Sequence, residues 1–244
     1  MAKVLRTVRP LGLSPSLNLS SRRTFLNLAS ESQSLTESRV LPYSSSQLYK
    51  LIADIDNYRD FVPYCTNSRV TKWSAPDREG KKWPSEAELK VGWGGIEEAF
   101  TSRLFCDPGK VVEATSGGAT SNLPKATIEH HKETMNAPPI HNSVFKSLTT
   151  TWSLKPFHYT PPVGNLKPGT NPSRIETEEA KDRTEVSLTI DYAFINPMYA
   201  AMSKAVAPKV AGVMIQAFEN RAKMLLEGNG SGKAALKDTF RSQK

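Results

Sequence analysis

Few side chains of this sequence are spaced as catalysis or metal binding would require. Glu97 and Glu98 are adjacent, and adjacent residues of a strand point to opposite faces, so they are not a general acid–base pair. Glu129-His130-His131 and His141 do not form a metal set, because adjacent histidines in an extended segment point apart. Phosphate-binding loops, nucleophile elbows and metal-ligand motifs are also missing from the sequence. These observations predict a protein that is not an enzyme.

One of the two glutamates would nevertheless face the interior of the fold. Burial there would raise the pKa of its carboxyl group. The simpler alternative is a glutamate that is ion-paired or solvated, and the sequence leaves both open.

Alternation of apolar and polar residues predicts the sheet that would hold any such site. Every second residue from Val186 to Phe194 is apolar, and the same pattern runs from Ala87 to Trp93. Gly94-Gly95 is suited to the turn between two of the strands. The strands predicted in this way are 36–42, 66–73, 84–92, 97–105, 110–115, 145–154 and 184–195.

Two helical regions accompany these strands. A short helix is predicted at 47–55, behind serines suited to cap it, and a helical turn follows it. The longer helix spans Asn196–Glu227, and Pro208 should divide it into 198–206 and 208–227 because proline removes a backbone donor. Such a helix either seals an ordinary core or covers an apolar pocket. Its predicted apolar stripe is Met198, Met202, Val206, Val210, Val213, Met214, Ala217, Phe218 and Leu225.

The order of elements is one strand, two helices, six strands and a long helix. An antiparallel sheet covered by a terminal helix is an α+β design. A curved sheet wrapped around one helix encloses space unless large side chains fill it. Apolar cavities with few polar groups suit lipid-like ligands.

The positive charge of the chain is concentrated at its N-terminus. The net charge is +8, and residues 1–30 contribute five basic residues and no acidic one, which leaves about +3 for the remainder. An Arg- and Ser-rich segment without acids is typical of a mitochondrial presequence, and an ordinary disordered tail is the alternative. The remainder lacks the basic stripe with aromatics that nucleic-acid binding would need.

Two stretches interrupt the regular pattern of strands. Residues 116–143 and 156–180 are rich in proline and glycine, and we expect both to be long mobile insertions between strands. The tail 228–244 is predicted to be disordered.

Four stretches resemble one known family. They are Leu51–Cys65 with its Tyr-x-x-Phe-Val-Pro-Tyr-Cys motif, Glu98–Ser102, Phe145–Leu148 with Trp152, and Val213–Ala222. Together they resemble the mitochondrial coenzyme Q-binding proteins of the START, or polyketide-cyclase-like, superfamily. The resemblance covers about residues 35–227, and the two insertions and Pro208 depart from the pattern of that family.

This resemblance implies a helix-grip fold, in which a curved seven-stranded antiparallel sheet wraps the long C-terminal helix. It also implies binding of ubiquinone or its late intermediates in a hydrophobic tunnel, with delivery for respiratory electron transport and ubiquinone biosynthesis. The implied location is the matrix side of the mitochondrial inner membrane, and the implied partners are that membrane surface and the respiratory chain or the biosynthetic complex. No catalytic cofactor is implied, and ubiquinone is the bound lipid.

The expected ligand-binding residues follow from the predicted strands and the implied tunnel. The Phe61–Cys65 turn would form the mouth of the tunnel, where Tyr64 and Trp93 would meet the quinone ring. Phe61 and Pro63 would shape a gate, and Val62 of the same turn is also an expected ligand-binding residue. Ordinary core packing is the alternative for each of these residues. The tunnel lining would be Leu89, Val91, Phe100, Leu148, Trp152, Leu188, Ile190, Tyr192, Met202, Val206, Val210 and Met214.

Three other functions remain open on the sequence. A cyclase or hydratase would need proton-transferring groups inside the cavity, and Glu97, Glu98 and Tyr192 are the few candidates. A general phospholipid or sterol carrier needs only an apolar cavity. Bacterial relatives within the superfamily are described as acting on ribosomes, but the modest charge after residue 30 argues against strong RNA affinity. The gate and segment 198–206 could also touch the bilayer during ligand exchange.

Overall fold

The structure is a computed structural model. The structure describes residues 32–93, 95–141, 143–157, 183–203 and 207–228. The predicted presequence, nearly all of the 156–180 stretch and all but the first residue of the predicted tail lie outside this part of the chain. The predictions for those segments therefore stay predictions.

Seven strands form one antiparallel sheet in the order β1-β7-β6-β5-β4-β3-β2. The strands are β1 (Gln33–Leu41), β2 (Cys65–Trp73), β3 (Pro84–Trp93), β4 (Ile96–Asp107), β5 (Val111–Gly117), β6 (Phe145–Phe157) and β7 (Arg183–Phe194). The helices are α1 (Ser45–Ala53), α2 (Lys132–Asn136), α3 (Pro197–Ser203) and α4 (Ala207–Glu227), with 3-10 turns at Ile55–Asp60 and Glu129–His131. The predicted α+β, helix-grip architecture is confirmed.

The core lies between one face of the sheet and α4. In β7 every second residue from Thr184 to Tyr192 is buried, as the apolar alternation predicts. The first strand pairs with the last, with Leu35 opposite Ile190, so the chain closes the sheet next to its own beginning.

Helix α4 meets the sheet along a stripe that differs from the predicted one. Val213 is 38% exposed, and Met198, on the preceding helix α3, is 62% exposed, so their predicted inward positions are wrong. The reason is that alanines supply half of the true stripe, since a small side chain brings the helix close to the sheet while adding little to an apolar pattern. The buried residues of α4 are Ala207, Ala211, Ile215, Phe218, Ala222 and Leu225.

Helix α1 and the 3-10 turn after it are anchored on α4. The helix begins with a capping box, in which the Ser44 N–H donates to the Gln47 side chain at 3.3 Å. Beyond it, the rings of Tyr58 and Phe61 meet that of Phe218 edge to face at centroid distances of 5.2 and 4.9 Å. These contacts hold the loop that leads to β2 against the long helix.

The centre of the 116–143 stretch is packed against the sheet, which its composition did not indicate. Ile128 and His131 are 1% and 0% exposed. The Nδ1 atom of His131 lies 2.7 Å from Ser85 Oγ, and the Nε2 atom accepts the Cys106 N–H at 3.1 Å. Burial, with a smaller effect of His130, lowers the pKa of His131 to about 3. This histidine therefore serves as a neutral packing residue.

Candidate ligand-binding cavity

A cavity of about 300 Å³ lies between the sheet and helices α3 and α4. Five strands, both helices and the segments before β2 and β6 contribute to its wall. Apolar side chains dominate the wall, which is the pattern of sites that bind hydrophobic small molecules. The lining residues are Leu35, Tyr64, Val91, Gly92, Glu98, Val144, Phe145, Leu148, Ile190, Tyr192, Phe194, Tyr199, Met202, Ser203, Ala207 and Val210.

The register of the sheet explains why the wall is continuous. Leu35 of β1 lies opposite Ile190 of β7, and two residues further along β7 Tyr192 lies opposite Leu148 of β6. Residues two apart on a strand share a face, so these four side chains form one patch. Ala207, at the start of α4, has too small a side chain to fill the space in front of them.

Aromatic rings brace one end of the cavity. Phe145 and Phe194 stack at a centroid distance of 5.1 Å, and Phe145 meets Phe100 edge to face at 5.3 Å. Phe194 also contacts Tyr192 at 5.4 Å and Tyr199 at 6.2 Å. Each such pair contributes about 0.5–1.5 kcal/mol beyond its buried area. The rings therefore connect α3 to three strands of the sheet.

The cavity contains a small set of polar side chains. The Tyr199 hydroxyl donates to Glu98 Oε1 at 2.6 Å, which ties α3 to β4. The Tyr192 hydroxyl donates to Gln33 Oε1 at 2.9 Å. The hydrogen bond to Glu98 raises the pKa of Tyr199, and burial raises the pKa of Tyr192, so both phenols stay protonated near neutral pH.

Glu97 points away from this cavity. Its carboxylate contacts Lys90 Nζ at 2.6 Å and accepts the Thr66 hydroxyl at 2.8 Å. These hydrogen bonds, first that of Lys90 and then that of Thr66, lower the pKa of Glu97. The two adjacent glutamates thus lie on opposite faces of β4, and Glu98 is the one that lines the cavity.

Tyr64 stands at the mouth with a strained backbone. Its φ is 66°, which makes it the non-glycine residue with positive φ among those described. Such a conformation is uncommon for a bulky residue and is held by surrounding contacts. Here the Tyr64 carbonyl accepts the Gly92 N–H at 2.9 Å, while the residue remains 45% exposed.

The structure brings seven of the predicted ligand-binding residues to the cavity wall. Their contact with a ligand stays a prediction, because position alone does not establish binding. The seven residues are Tyr64, Val91, Leu148, Ile190, Tyr192, Met202 and Val210.

Eight other predicted residues are not part of the cavity wall. Trp152 and Phe61 contact Phe218 at centroid distances of 4.4 and 4.9 Å, because α4 fills the space on that side of the sheet. The side chain of Trp93 and the whole of Val206 lie outside the described part of the structure. The eight residues away from the cavity wall are Phe61, Val62, Pro63, Leu89, Phe100, Trp152, Leu188 and Met214.

Several lining residues were not predicted from the sequence. Glu98 was considered only as a possible inward carboxylate, and Tyr199 had no signal beyond its place in a helical region. Phe145 begins one predicted strand and Phe194 lies next to the end of another, and a periodic pattern is weakest at its ends. The lining residues not predicted are Leu35, Gly92, Glu98, Val144, Phe145, Phe194, Tyr199, Ser203 and Ala207.

A second cavity, of about 630 Å³, lies over Arg103 and Thr115 on the sheet face opposite to the core residues Leu104 and Ala114. The 116–143 stretch covers it and adds Lys125 and other polar groups to its lining. Although it is larger, its mixed polar wall suits an apolar ligand less well than the cavity beside α3 and α4.

The described residues contain neither a membrane-spanning helix nor a metal-ligand cluster. Among the described helices, none is long and apolar enough to cross a membrane. Within those residues, no cluster of three or more His, Cys, Asp or Glu side chains could hold a metal ion.

The amino-acid sequence matches a family model described as polyketide cyclase / dehydrase and lipid transport over residues 41–219. A mitochondrial coenzyme Q-binding protein from Schizosaccharomyces pombe is 29% identical over 77% of this chain and 85% of its own length. A protein of the same description from Eremothecium gossypii is 27% identical over 84% of this chain and 81% of its own length. The ribosome association toxin RatA from Pseudomonas aeruginosa is 25% identical over 78% of this chain and 96% of its own length. The resemblance drawn from the sequence is therefore confirmed.

Solved structures agree on the fold. The Zhui aromatase/cyclase from Streptomyces sp. R1128 has a TM-score of 0.52 and 14% identity, covering 82% of this chain and 99% of that one. A START superfamily protein from Mycobacterium smegmatis has a TM-score of 0.51 and 13% identity, covering 79% of this chain and 98% of that one. At such identities the likeness extends to the fold alone.

Proposed function

Since the chain belongs to the polyketide cyclase / dehydrase and lipid transport family, we propose that it binds ubiquinone or a late intermediate of ubiquinone synthesis in the cavity between the sheet and helices α3 and α4. The relatives named as mitochondrial coenzyme Q-binding proteins support this choice of ligand. The observation that carries the proposal is the cavity itself, whose lining residues are apolar apart from a few hydroxyl side chains and the carboxyl side chain of Glu98.

The energetics of an isoprenoid ligand match such a wall. Each methylene group moved out of water contributes about 0.8 kcal/mol, so a prenyl tail is held without directional contacts. The volume of about 300 Å³ is at the lower end for small-molecule sites. We therefore propose that the cavity holds the ring and the first part of the tail, and that the rest of the tail leaves through the mouth beside Tyr64.

We further propose that the bound lipid is delivered for respiratory electron transport and for ubiquinone synthesis at the matrix side of the inner membrane. The mitochondrial relatives and the Arg- and Ser-rich residues 1–30 support this location. The exposed apolar residues Ile195 and Met198, at 52% and 62%, suit transient contact with a bilayer during exchange.

An enzyme of the cyclase type is the second candidate, and one contact favours it. Glu98 and Tyr199 form a hydrogen-bonded carboxylate–phenol pair on the wall of the cavity, where a proton could be transferred. Conversion of an added ubiquinone intermediate, followed by loss of that conversion in Glu98→Gln, would favour the enzyme over the carrier.

Binding can be tested by passing the protein with radiolabelled ubiquinone through a gel-filtration column. Val210→Asp places a charge on the cavity wall and should abolish co-elution of the lipid. Val213→Asp is the matched control, because the same change three residues along α4 lies at a position that is 38% exposed.

Circular dichroism should show that both variants keep the helices and the sheet. Co-elution of the label with the wild type and the control, but not with Val210→Asp, is the expected result. Equal retention by all three proteins would show that this cavity is not where the lipid binds.

A further inference from the structure

The second cavity, on the outer face of the sheet, takes no part in the proposed function. Its volume of about 630 Å³ is within the range of small-molecule sites, and polar and apolar atoms contribute about equally to its wall. The sheet forms its floor, where Arg103 of β4 lies opposite Thr115 of β5. Thr120, Lys125 and Asn136 of its wall are exposed, so the cavity is open to solvent.

The stretch that covers this cavity is attached to the sheet at two points. The Asn122 N–H donates to the carboxylate of Glu113 on β5 at 3.1 Å. Further along the chain, Thr134 Oγ1 lies 2.9 Å from Ser85 Oγ of β3. The cavity is therefore a fixed part of the fold, with the stretch held over it from both β3 and β5.

Arg103 lines this cavity with much of its hydrogen-bonding capacity unused. Its Nη2 group donates to the Pro138 carbonyl, whereas its Nε is buried without a partner among the described residues. The Nη1 group also lacks a partner in these ranges but is not buried, so it is the part of the guanidinium that a ligand can reach. No described carboxylate forms an ion pair with Arg103. A partly buried charge without a counterion is unfavourable, and a bound anion would relieve it.

Two lysines add to the positive charge of this wall. Lys125 and Lys132 line the cavity together with Arg103, and within the described ranges neither lysine forms an ion pair. Glu129 is the acidic residue of the lining, so three basic residues face one acidic residue. Glu113, on the same face of the sheet, is not part of the lining, and burial raises the pKa of its carboxyl group. A cavity with such an excess of positive charge attracts anions.

Apolar side chains form another part of the same wall. Phe105 lies two residues beyond Arg103 and therefore on the same face of β4, and Ile128 and Met135 come from the covering stretch. A simple inorganic ion would leave this apolar surface unused. The composition of the wall therefore favours a ligand that has both an anionic group and an apolar part.

We infer that the outer cavity is a second ligand-binding site, which takes a small molecule with a phosphate group on a partly apolar body. Arg103, Lys125 and Lys132 hold the phosphate, and the apolar side chains of the wall contact the body. A phosphate monoester carries a charge of about −1.5 to −2 at neutral pH, which matches the excess positive charge of the lining. A guanidinium is also well suited to phosphate, since it can donate two parallel hydrogen bonds to it. Soluble nucleotides and phospholipid headgroups share this chemistry.

Isothermal titration calorimetry on the full chain tests the site with one probe from each source, ADP and dihexanoyl phosphatidic acid. Inorganic phosphate, adenosine and dihexanoylglycerol are the controls, because each lacks either the body or the phosphate. We expect at least one probe to bind about tenfold more tightly than inorganic phosphate, which corresponds to about 1.4 kcal/mol. Adenosine and dihexanoylglycerol should not bind, and added salt should weaken binding of the probe.

Variants place the binding in this cavity. Lys125→Glu reverses a charge at an exposed position and should weaken binding of the probe at least about tenfold without affecting the fold. Arg103→Gln should also weaken it, while its amide can still donate to the Pro138 carbonyl. Lys155→Glu is the matched control, because it makes the same charge change at an exposed residue of β6 that does not line the cavity. Circular dichroism should show the same secondary structure in all three variants.

The outcomes separate this site from the proposed function. Binding of ADP alone supports a soluble ligand, and binding of the phosphatidic acid alone supports a lipid headgroup. Binding of neither probe, or of both no more tightly than inorganic phosphate, refutes the second site. An affinity in Lys125→Glu and Arg103→Gln equal to that in Lys155→Glu refutes its placement in this cavity. Co-elution of ubiquinone should be the same in all three variants, because the two cavities lie on opposite faces of the sheet.

Discussion

Acidification should destabilise the protein through His131, whose side chain is fully buried. Its Nε2 accepts the Cys106 N–H, so the neutral ring carries its proton on Nδ1 and donates it to Ser85 Oγ. A protonated ring would set a second donor against the Cys106 donor in a fully buried site. The folded protein therefore keeps this ring neutral, with its pKa lowered to about 3 by burial and by His130.

The sign and size of the effect follow from that pKa. Between the ordinary value of 6.5 and about 3, the unfolded chain binds a proton that the folded chain excludes, so the free energy of unfolding falls as pH falls. From about pH 7 to about pH 5, the unfolded histidine goes from roughly one quarter to almost fully protonated. The loss over that interval is about 2 kcal/mol, and it is nearly independent of how far below 4 the folded pKa lies.

Other groups also titrate, and a variant separates their contribution to the pH dependence of stability from that of His131. Burial raises the pKa of Glu113 and of Asp54, which opposes the fall in the free energy of unfolding at lower pH. Burial lowers the pKa of His130, which adds to that fall. His131→Gln keeps an acceptor for the Cys106 N–H but does not titrate. His141→Gln, at an exposed position, is the control.

Urea unfolding of the wild type and both variants at about pH 7 and about pH 5 measures the effect. We expect the wild type and His141→Gln to lose about 2 kcal/mol more than His131→Gln over this interval. The same pH dependence in all three proteins would refute the reasoning about His131.

Three further predictions concern α3 and α4. Phe218→Ala should lower the free energy of unfolding by about 3–5 kcal/mol, because its ring joins Tyr58, Phe61 and Trp152 in the core, and urea titration would measure this. Ala222→Leu should cost about 1–3 kcal/mol by overpacking a site that is 0% exposed, and a melting temperature equal to the wild type would contradict the close approach of α4. Tyr199→Phe should speed release of bound ubiquinone severalfold by freeing α3 from Glu98, whereas an unchanged stopped-flow rate would show that this contact does not limit exit.

The strands were the most predictable part of the fold. Alternation reports which residues of a strand are buried, and the predicted ranges 84–92 and 184–195 compare with Pro84–Trp93 and Arg183–Phe194 in the structure. The predicted division near Pro208 compares with α3 at Pro197–Ser203 and α4 at Ala207–Glu227, and residues 204–206 between them lie outside the described part of the chain.

Membership of the cavity was much harder to predict. Leu188 and Ile190 have the same place in the alternation, yet Leu188 is packed in the core and Ile190 lines the cavity. The difference depends on where Phe218 and the alanines of α4 lie, which no local pattern contains. The contact of Glu98 with Tyr199 joins residues that are 101 positions apart, so it also depends on the complete fold.

The most direct test of the proposed function is the identity of the lipid that the protein carries from the cell. The protein would be purified from mitochondria without detergent and extracted with organic solvent, and the extract would be quantified by mass spectrometry against the protein. We predict near-stoichiometric ubiquinone, ubiquinol or a late precursor from the wild type and from Val213→Asp, and none from Val210→Asp. Extracts that contain only phospholipid or sterol, or no lipid, would contradict the proposal that this cavity binds ubiquinone.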